Sequence, residues 1–208
     1  MTIFLLIIIR FFTLGINCHQ DNCISEKITD ITFYNTLKNQ QTIDIIKDNK
    51  IIKNKGKIKI KIDNEKIINF TDCIYKNNEI KNKSYKYLGF SHKTNSYVIQ
   101  IAHYESSEFM LINKSGSIIH TWSIPYISTN NELISLSKGI EYEVYNNGFQ
   151  VFQLKNNIFY KKCNVIISNL EPTELRWIGK HAFALKLQDP NHINHSKSNT
   201  EYRIYSLK

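Results

Sequence analysis

From Thr42 onward apolar and polar residues alternate with a period of two, the spacing that sends successive side chains to opposite faces of a strand. The clearest case is Lys57-Ile58-Lys59-Ile60-Lys61-Ile62, which puts every Ile on one face and every Lys on the other. Asp63-Asn64-Glu65 then makes a turn, and Lys66-Ile67-Ile68-Asn69-Phe70 reads as the return strand. Upstream, the runs 42–46 and 50–52 flank Lys47-Asp48-Asn49 and predict a further hairpin. Nowhere does an apolar stripe at i, i+3, i+4 persist with caps at both ends, so long helices are excluded. A short helix is tolerated only around 24–37. The fold class is all-β.

The second half carries longer, more aromatic runs at 85–90, 96–104, 108–113 and 117–122, separated by short polar turns such as Lys114-Ser115-Gly116. Four antiparallel strands in so short a span match one propeller blade or one meander of a sandwich. Further strands follow at 132–137, 148–154, 157–162, 175–177, 181–187 and 201–207. Pro125-Tyr126-Ile127-Ser128-Thr129-Asn130-Asn131-Glu132-Leu133-Ile134-Ser135-Leu136-Ser137 resembles the opening of a TolB-type propeller blade, Pro-x-x-Ser-Pro-Asp-Gly-x-x-Ile-x-Phe-x-Ser. Pro125, Ser128, Ile134 and Ser137 match, and Thr129-Asn130-Asn131 keeps turn chemistry where Pro-Asp-Gly is usual. A looser copy begins at Pro172 and runs through Trp177 and Phe183. The resemblance implies blade-like units at about 42–80, 84–122, 125–165 and 172–208, forming an open or incomplete propeller in an exported bacterial protein. A β-sandwich is the alternative. The resemblance implies a protein-interaction role by analogy alone, since such folds host binding and catalysis alike and the fold itself chooses no function.

Residues 3–16 are apolar apart from Arg10 and Thr13, too short to span a bilayer and the length of a secretory h-region. The expectation is a signal peptide over 1–20, then an N-terminal segment 21–41 and a β domain 42–208. The product would be secreted or periplasmic. Cys18 offers an alternative, a lipid-anchored lipoprotein, but Ile16 and Asn17 stand where that processing wants small residues. Export permits disulfides among Cys23, Cys73 and Cys163. The preferred pair is Cys23–Cys73, and the alternative is three small buried thiols.

The formal charge of +9 changes meaning once divided. Residues 38–86 hold thirteen basic and six acidic groups, so most of the excess sits on strands that alternate Lys with Ile. Lys57, Lys59 and Lys61 could form a face for an anionic ligand. A solvated face that guards a strand edge against aggregation explains them better. Beyond the leader only Arg176 and Arg203 offer guanidinium forks, and few aromatics lie between the lysines, so no nucleic-acid partner is expected. The remaining partner classes are protein and envelope glycan.

No Asp lies between Asp72 and Asp189, which removes Asp-based calcium loops and paired-Asp sites from the core of the domain. Glycosidase chemistry would need two Glu residues, from Glu105, Glu108, Glu141 and Glu143. No Gly-x-Ser-x-Gly and no glycine-rich phosphate loop occurs. Cys163 follows Lys161 and Lys162 and would need His103, His120 or His181 beside it for thiol catalysis. His192 and His195, with Asp189, have metal-ligand spacing but sit in a polar loop. Tyr85, Tyr87, Tyr97 and Tyr104, with Phe90, are core and cross-strand residues or an aromatic platform for glycan or peptide. No catalytic residue, cofactor or metal is assigned. The reading is a non-catalytic exported binding or scaffold module, with an exported Glu/His-based hydrolase as the alternative.

Overall fold

A computed structural model describes residues 23–38, 40, 42–48, 51–138, 147–190 and 200–208. The expected signal peptide over 1–20, with Cys18, and Glu141, Glu143, His192 and His195 lie outside the described residues. The chain is all-β, built from antiparallel sheets of which none closes into a barrel. Sheet 1 is the hairpin β2 (Lys57–Lys61) and β3 (Ile67–Thr71). Sheet 2 is the meander β4 (Ser84–Ser91), β5 (Ser96–Ala102), β6 (Ser107–Asn113) and β7 (Ile118–Thr121). Sheet 3 runs β8 (Tyr126–Ile127), β9 (Glu132–Ser137), β10 (Gly148–Lys155) and β11 (Ile158–Ile166). Sheet 4 joins β12 (Glu171–Ile178), β13 (Ala182–Gln188) and β14 (Thr200–Leu207) to the N-terminal strand β1 (Ile24–Thr29).

The sheets stack face to face with three apolar layers between them. Ile58, Ile60 and Phe70 of sheet 1 meet Ile99, Ile101 and Ile112 of sheet 2. The other face of sheet 2, through Val98, Leu111 and Ile119, meets Leu133, Phe152 and Phe159 of sheet 3. Ile134, Phe149 and Val165 on the opposite face of sheet 3 then pack against Leu175, Phe183 and Tyr205 of sheet 4. Sheets 2 and 3 are therefore covered on both faces, which is why β9 reads Glu-Leu-Ile-Ser-Leu-Ser with every residue buried. Sheet 1 is covered on one face, so β2 keeps its strict Ile/Lys alternation.

The short helix tolerated around 24–37 is present in the second half of that span. Residues 24–29 instead form β1, in six-residue antiparallel register with β14 from Ile24↔Leu207 to Thr29↔Tyr202. Helix α1 is confined to Ile31–Thr36, where the Asp30 side chain accepts a hydrogen bond from Phe33 N at 2.8 Å as its N-cap. Among the described residues of 42–52, the two runs expected to form a hairpin do not pair with each other. Residues 42–46 cross the edges of two sheets instead, bridging Thr42↔Tyr126 on β8 and Ile46↔Phe90 on β4. At Gly89 a Cβ would stand 2.6 Å from the Ile46 carbonyl oxygen, so only glycine admits this crossing segment.

The preferred Cys23–Cys73 bridge is corrected. Cys23 is bonded to Cys163, which ties the entry of β1 to β11 of the neighbouring sheet, and Cys73 is exposed and free. Pairing β1 with the last strand carries Cys23 to the layer between sheets 3 and 4, whereas Cys73 follows the sheet 1 hairpin. On its outer face sheet 4 carries Glu174, Arg176 and Lys186, and α1 docks there. Arg176 lies over the Tyr34 ring at 4.2 Å and donates to the Tyr34 and Leu37 carbonyls. Burial alone would push the Glu174 carboxyl up, but hydrogen bonding and charge from Lys186, with Arg176 adding, hold it below the usual glutamate range.

Replacing Cys23 and Cys163 together by Ser is expected to lower unfolding stability by about 2–5 kcal/mol, read as a reduced urea midpoint, because the loop released from the unfolded chain is long. Among the cysteines of the described residues, iodoacetamide under native, non-reducing conditions should label Cys73 alone. A second expectation concerns acid. With its folded pKa depressed, Glu174 stabilises fully above its unfolded pKa, and that contribution is lost as pH falls through the lower folded value. Glu174→Gln should remove this part of the acid dependence; since the carboxylate is partly exposed, the change stays below about 1 kcal/mol in denaturation curves taken between pH 6 and pH 3.

Candidate functional site

A cleft of about 420 Å³ opens where sheets 2, 3 and 4 meet. Its walls follow from the strand ends. Glu108 and Phe109 come from β6, Trp122 from the connector after β7, Tyr126 from β8 and Thr173 from β12, with Thr42 of the crossing segment along one side. Phe109, Trp122 and Tyr126 are each half-buried in this lining. The connector is held by side chains rather than by a ladder. Trp122 N donates to Gln150 Oε1 at 2.9 Å, Ser123 N donates to Ser135 Oγ at 2.8 Å, and Leu136 N donates to Ser123 Oγ at 3.0 Å. Gln150 and Ser135 are themselves buried. Burial, with the Glu174 charge adding, pushes the Tyr126 phenol up, so it remains a neutral hydroxyl.

Two of the histidines named from the sequence meet Glu108. His103 Nε2 lies 3.4 Å from Glu108 Oε1 and His120 Nδ1 lies 3.5 Å from Oε2, which orients the carboxylate at the rim of the cleft. Glu108 is the only carboxylate among the described residues of the lining, so no second carboxylate is placed for glycoside hydrolysis there. Glu105 is exposed in the β5–β6 turn. His181 does not approach a thiol. Its Nδ1 is 3.2 Å from Oε1 of Glu132, a side chain 1% exposed that also pairs with Lys162 at 3.6 Å. With Cys163 in a disulfide, thiol catalysis at that position is overturned. Among the described residues no three His, Cys, Asp or Glu side chains are disposed to hold a metal ion, and no helix is long and apolar enough to cross a membrane.

The four tyrosines do not assemble into one platform. Tyr85, Tyr87 and Tyr97 pack against the layer between sheets 1 and 2, Tyr85 with Phe70 at 5.2 Å and Tyr87 with Tyr97 at 6.4 Å. Tyr104 is exposed beyond the end of β5. Lys57, Lys59 and Lys61 are exposed along β2. Lys59 and Lys61 border a second depression, of about 450 Å³, together with Lys114, Phe90 and Tyr97. Its charge is countered from several sides. Asp48 lies in the wall, Lys61 is paired with Glu65 at 3.2 Å, and after burial the charges of Asp63 and Asp48 push the Tyr97 phenol up.

Trp122 was not singled out from the sequence. Its signal was available as a lone Trp at the end of a predicted strand, immediately before the Pro125 motif. That motif falls on β8, the 128–131 turn and β9, and so supplies the cleft's Tyr126 and Leu136. The chain matches no protein-family model, no curated protein and no solved structure.

Replacing Lys57, Lys59 and Lys61 together by Gln should leave the fold and the urea midpoint within about 0.5 kcal/mol of the parent, as expected for solvated side chains. On heparin, parent and variant should both elute below about 150 mM salt, where exposed charges are largely screened. Retention of the parent well above that salt, abolished in the variant, would establish an anion site on β2.

Proposed function

We propose that this protein is an exported, non-catalytic binding module that takes its ligand, an envelope glycan, in the cleft between sheets 2, 3 and 4. The observation that carries this reading is the make-up of the cleft: three half-buried aromatic residues and several hydroxyls around the one carboxylate of the described lining. Binding sites combine apolar ring surface with a few placed polar groups, whereas hydrolysis of a glycoside needs a second acid or base. The apolar leader and the Cys23–Cys163 bond support a location that allows disulfides. Likeness to TolB-type blades supports an open propeller-like scaffold whose loops carry the site. Glu108 between His103 and His120 is the feature that favours the second reading, an exported hydrolase.

Co-sedimentation with insoluble cell-wall glycan separates the two. The expected result is that the protein pellets with the glycan and releases no soluble reducing sugar. Sugar released by the parent protein and not by Glu108→Gln would replace the binding reading with the hydrolase. Failure to pellet at all would remove the glycan as ligand.

A further inference from the structure

The chemistry of the same cleft selects among glycans. Resting on the binding reading above, we infer that the cleft recognises a neutral saccharide, with sugar faces stacked on Trp122 and Tyr126 and sugar hydroxyls held by Glu108 and the hydroxyl side chains of the wall.

Charge is the first argument. The described lining holds one carboxylate, Glu108, and one ammonium, Lys138, so the described residues of the walls offer no net charge to an ionic ligand. An anionic saccharide would also face the Glu108 carboxylate, and the two imidazoles beside it are already directed at that group. The second argument is the pairing of aromatic faces with hydroxyls. A pyranose presents C–H on its faces and hydroxyls on its rim, so it needs an apolar plane below and donors and acceptors around. Phe109, Trp122 and Tyr126 supply apolar ring surface, while Ser107 and the neutral Tyr126 phenol supply groups that both donate and accept, and Thr173, whose hydroxyl donates to the Lys186 carbonyl at 3.2 Å, can still accept. A carboxylate accepts from sugar hydroxyls as a strong, charge-assisted partner without requiring a charged ligand.

The alternative occupant, an extended peptide added to a sheet, needs a free strand edge. Along β8 that edge is occupied. Ile43 N donates to the Pro125 carbonyl at 2.9 Å, and Thr42 bridges Tyr126, so the crossing segment already holds the position where a peptide would pair with β8. Preorganisation is the third argument. Hydrogen bonds from Gln150 and Ser135 fix the Trp122 connector before any ligand arrives, which lowers the ordering cost of binding.

Titration of the full chain followed by tryptophan fluorescence and calorimetry tests this, with hexamers of glucose in α- and β-linkage and of N-acetylglucosamine as neutral probes. A heparin hexasaccharide and an uncharged decapeptide serve as competitors of other chemistry. At least one neutral hexamer should bind and shift the emission, and Trp122→Ala should weaken it at least tenfold. Trp122→Phe, which keeps a stacking face, should recover part of that loss, and the urea midpoint of each variant shows that folding is retained. Trp122-dependent binding of the heparin hexasaccharide or the decapeptide, with none of the neutral hexamers, would overturn the neutral-sugar assignment while leaving the cleft as the binding site. Neutral hexamers that bind with undiminished affinity to folded Trp122→Ala would overturn the assignment to this cleft. No response to any of the probes would overturn the binding reading together with it.

Discussion

The pairing of β1 with β14 is the contact on which the rest of the architecture depends. It joins the first described strand to the last, in register over six residues, and the Cys23–Cys163 bond and the Arg203–Glu26 ion pair at 3.1 Å lie alongside it. A strand so placed commits the chain to a route. Having started in sheet 4, it must cross the stack to begin sheet 1, and from there it lays down sheets 1, 2, 3 and 4 in order. Long-range pairing of this kind has a large loop-closure cost before any contact forms, and the disulfide reduces it by limiting the unfolded chain.

The crossing has consequences for the sheets it passes. Residues 42–46 lie against the first strands of sheets 2 and 3, and their bridges to Phe90 and Tyr126 cover parts of edges that would otherwise be open. Gly89 is the local requirement for this approach, since any side chain there would meet the Ile46 backbone. The same route brings Thr42 to the rim of the cleft, so one side of the candidate site is built by a segment remote in sequence from its other walls. The cleft therefore belongs to the stack as a whole: sheets 2, 3 and 4 and the crossing segment each contribute to it.

Positive charge does not converge in the same way. The lysines of β2 stand on the uncovered face of the outermost sheet, and those that approach the neighbouring depression meet Asp48, Asp63 and Glu65. Their regular alternation marks a one-sided strand in contact with water. The buried carboxylate of Glu132 follows a different logic, since it binds the β8–β9 turn to His181 of the β12–β13 turn and to Lys162. Replacing it would leave those partners to water and loosen the junction of sheets 3 and 4, which places it in the framework of the site rather than in its chemistry.

The sequence by itself determined the strands and the class. Period-two runs marked β2 to β7 and β9 to β14, with β12 read only over 175–177, while β8 was not read as a strand; Asp63-Asn64-Glu65 and Lys114-Ser115-Gly116 fell at turns, and the Pro125 motif fell on the first hairpin of sheet 3. These features are legible because alternation and turn chemistry act between residues close in the chain. The partner of β1, the path of 42–46, the bond from Cys23 to Cys163 and the convergence of Trp122, Glu108 and Thr173 were decided only by tertiary structure. Alternation states that a segment is extended and which residues share a face, but it assigns no neighbour. Those neighbours lie far apart in the chain, as Ile24 and Leu207 do at opposite ends of the described residues, and they meet where the stacking of the sheets buries both faces of sheets 2 and 3.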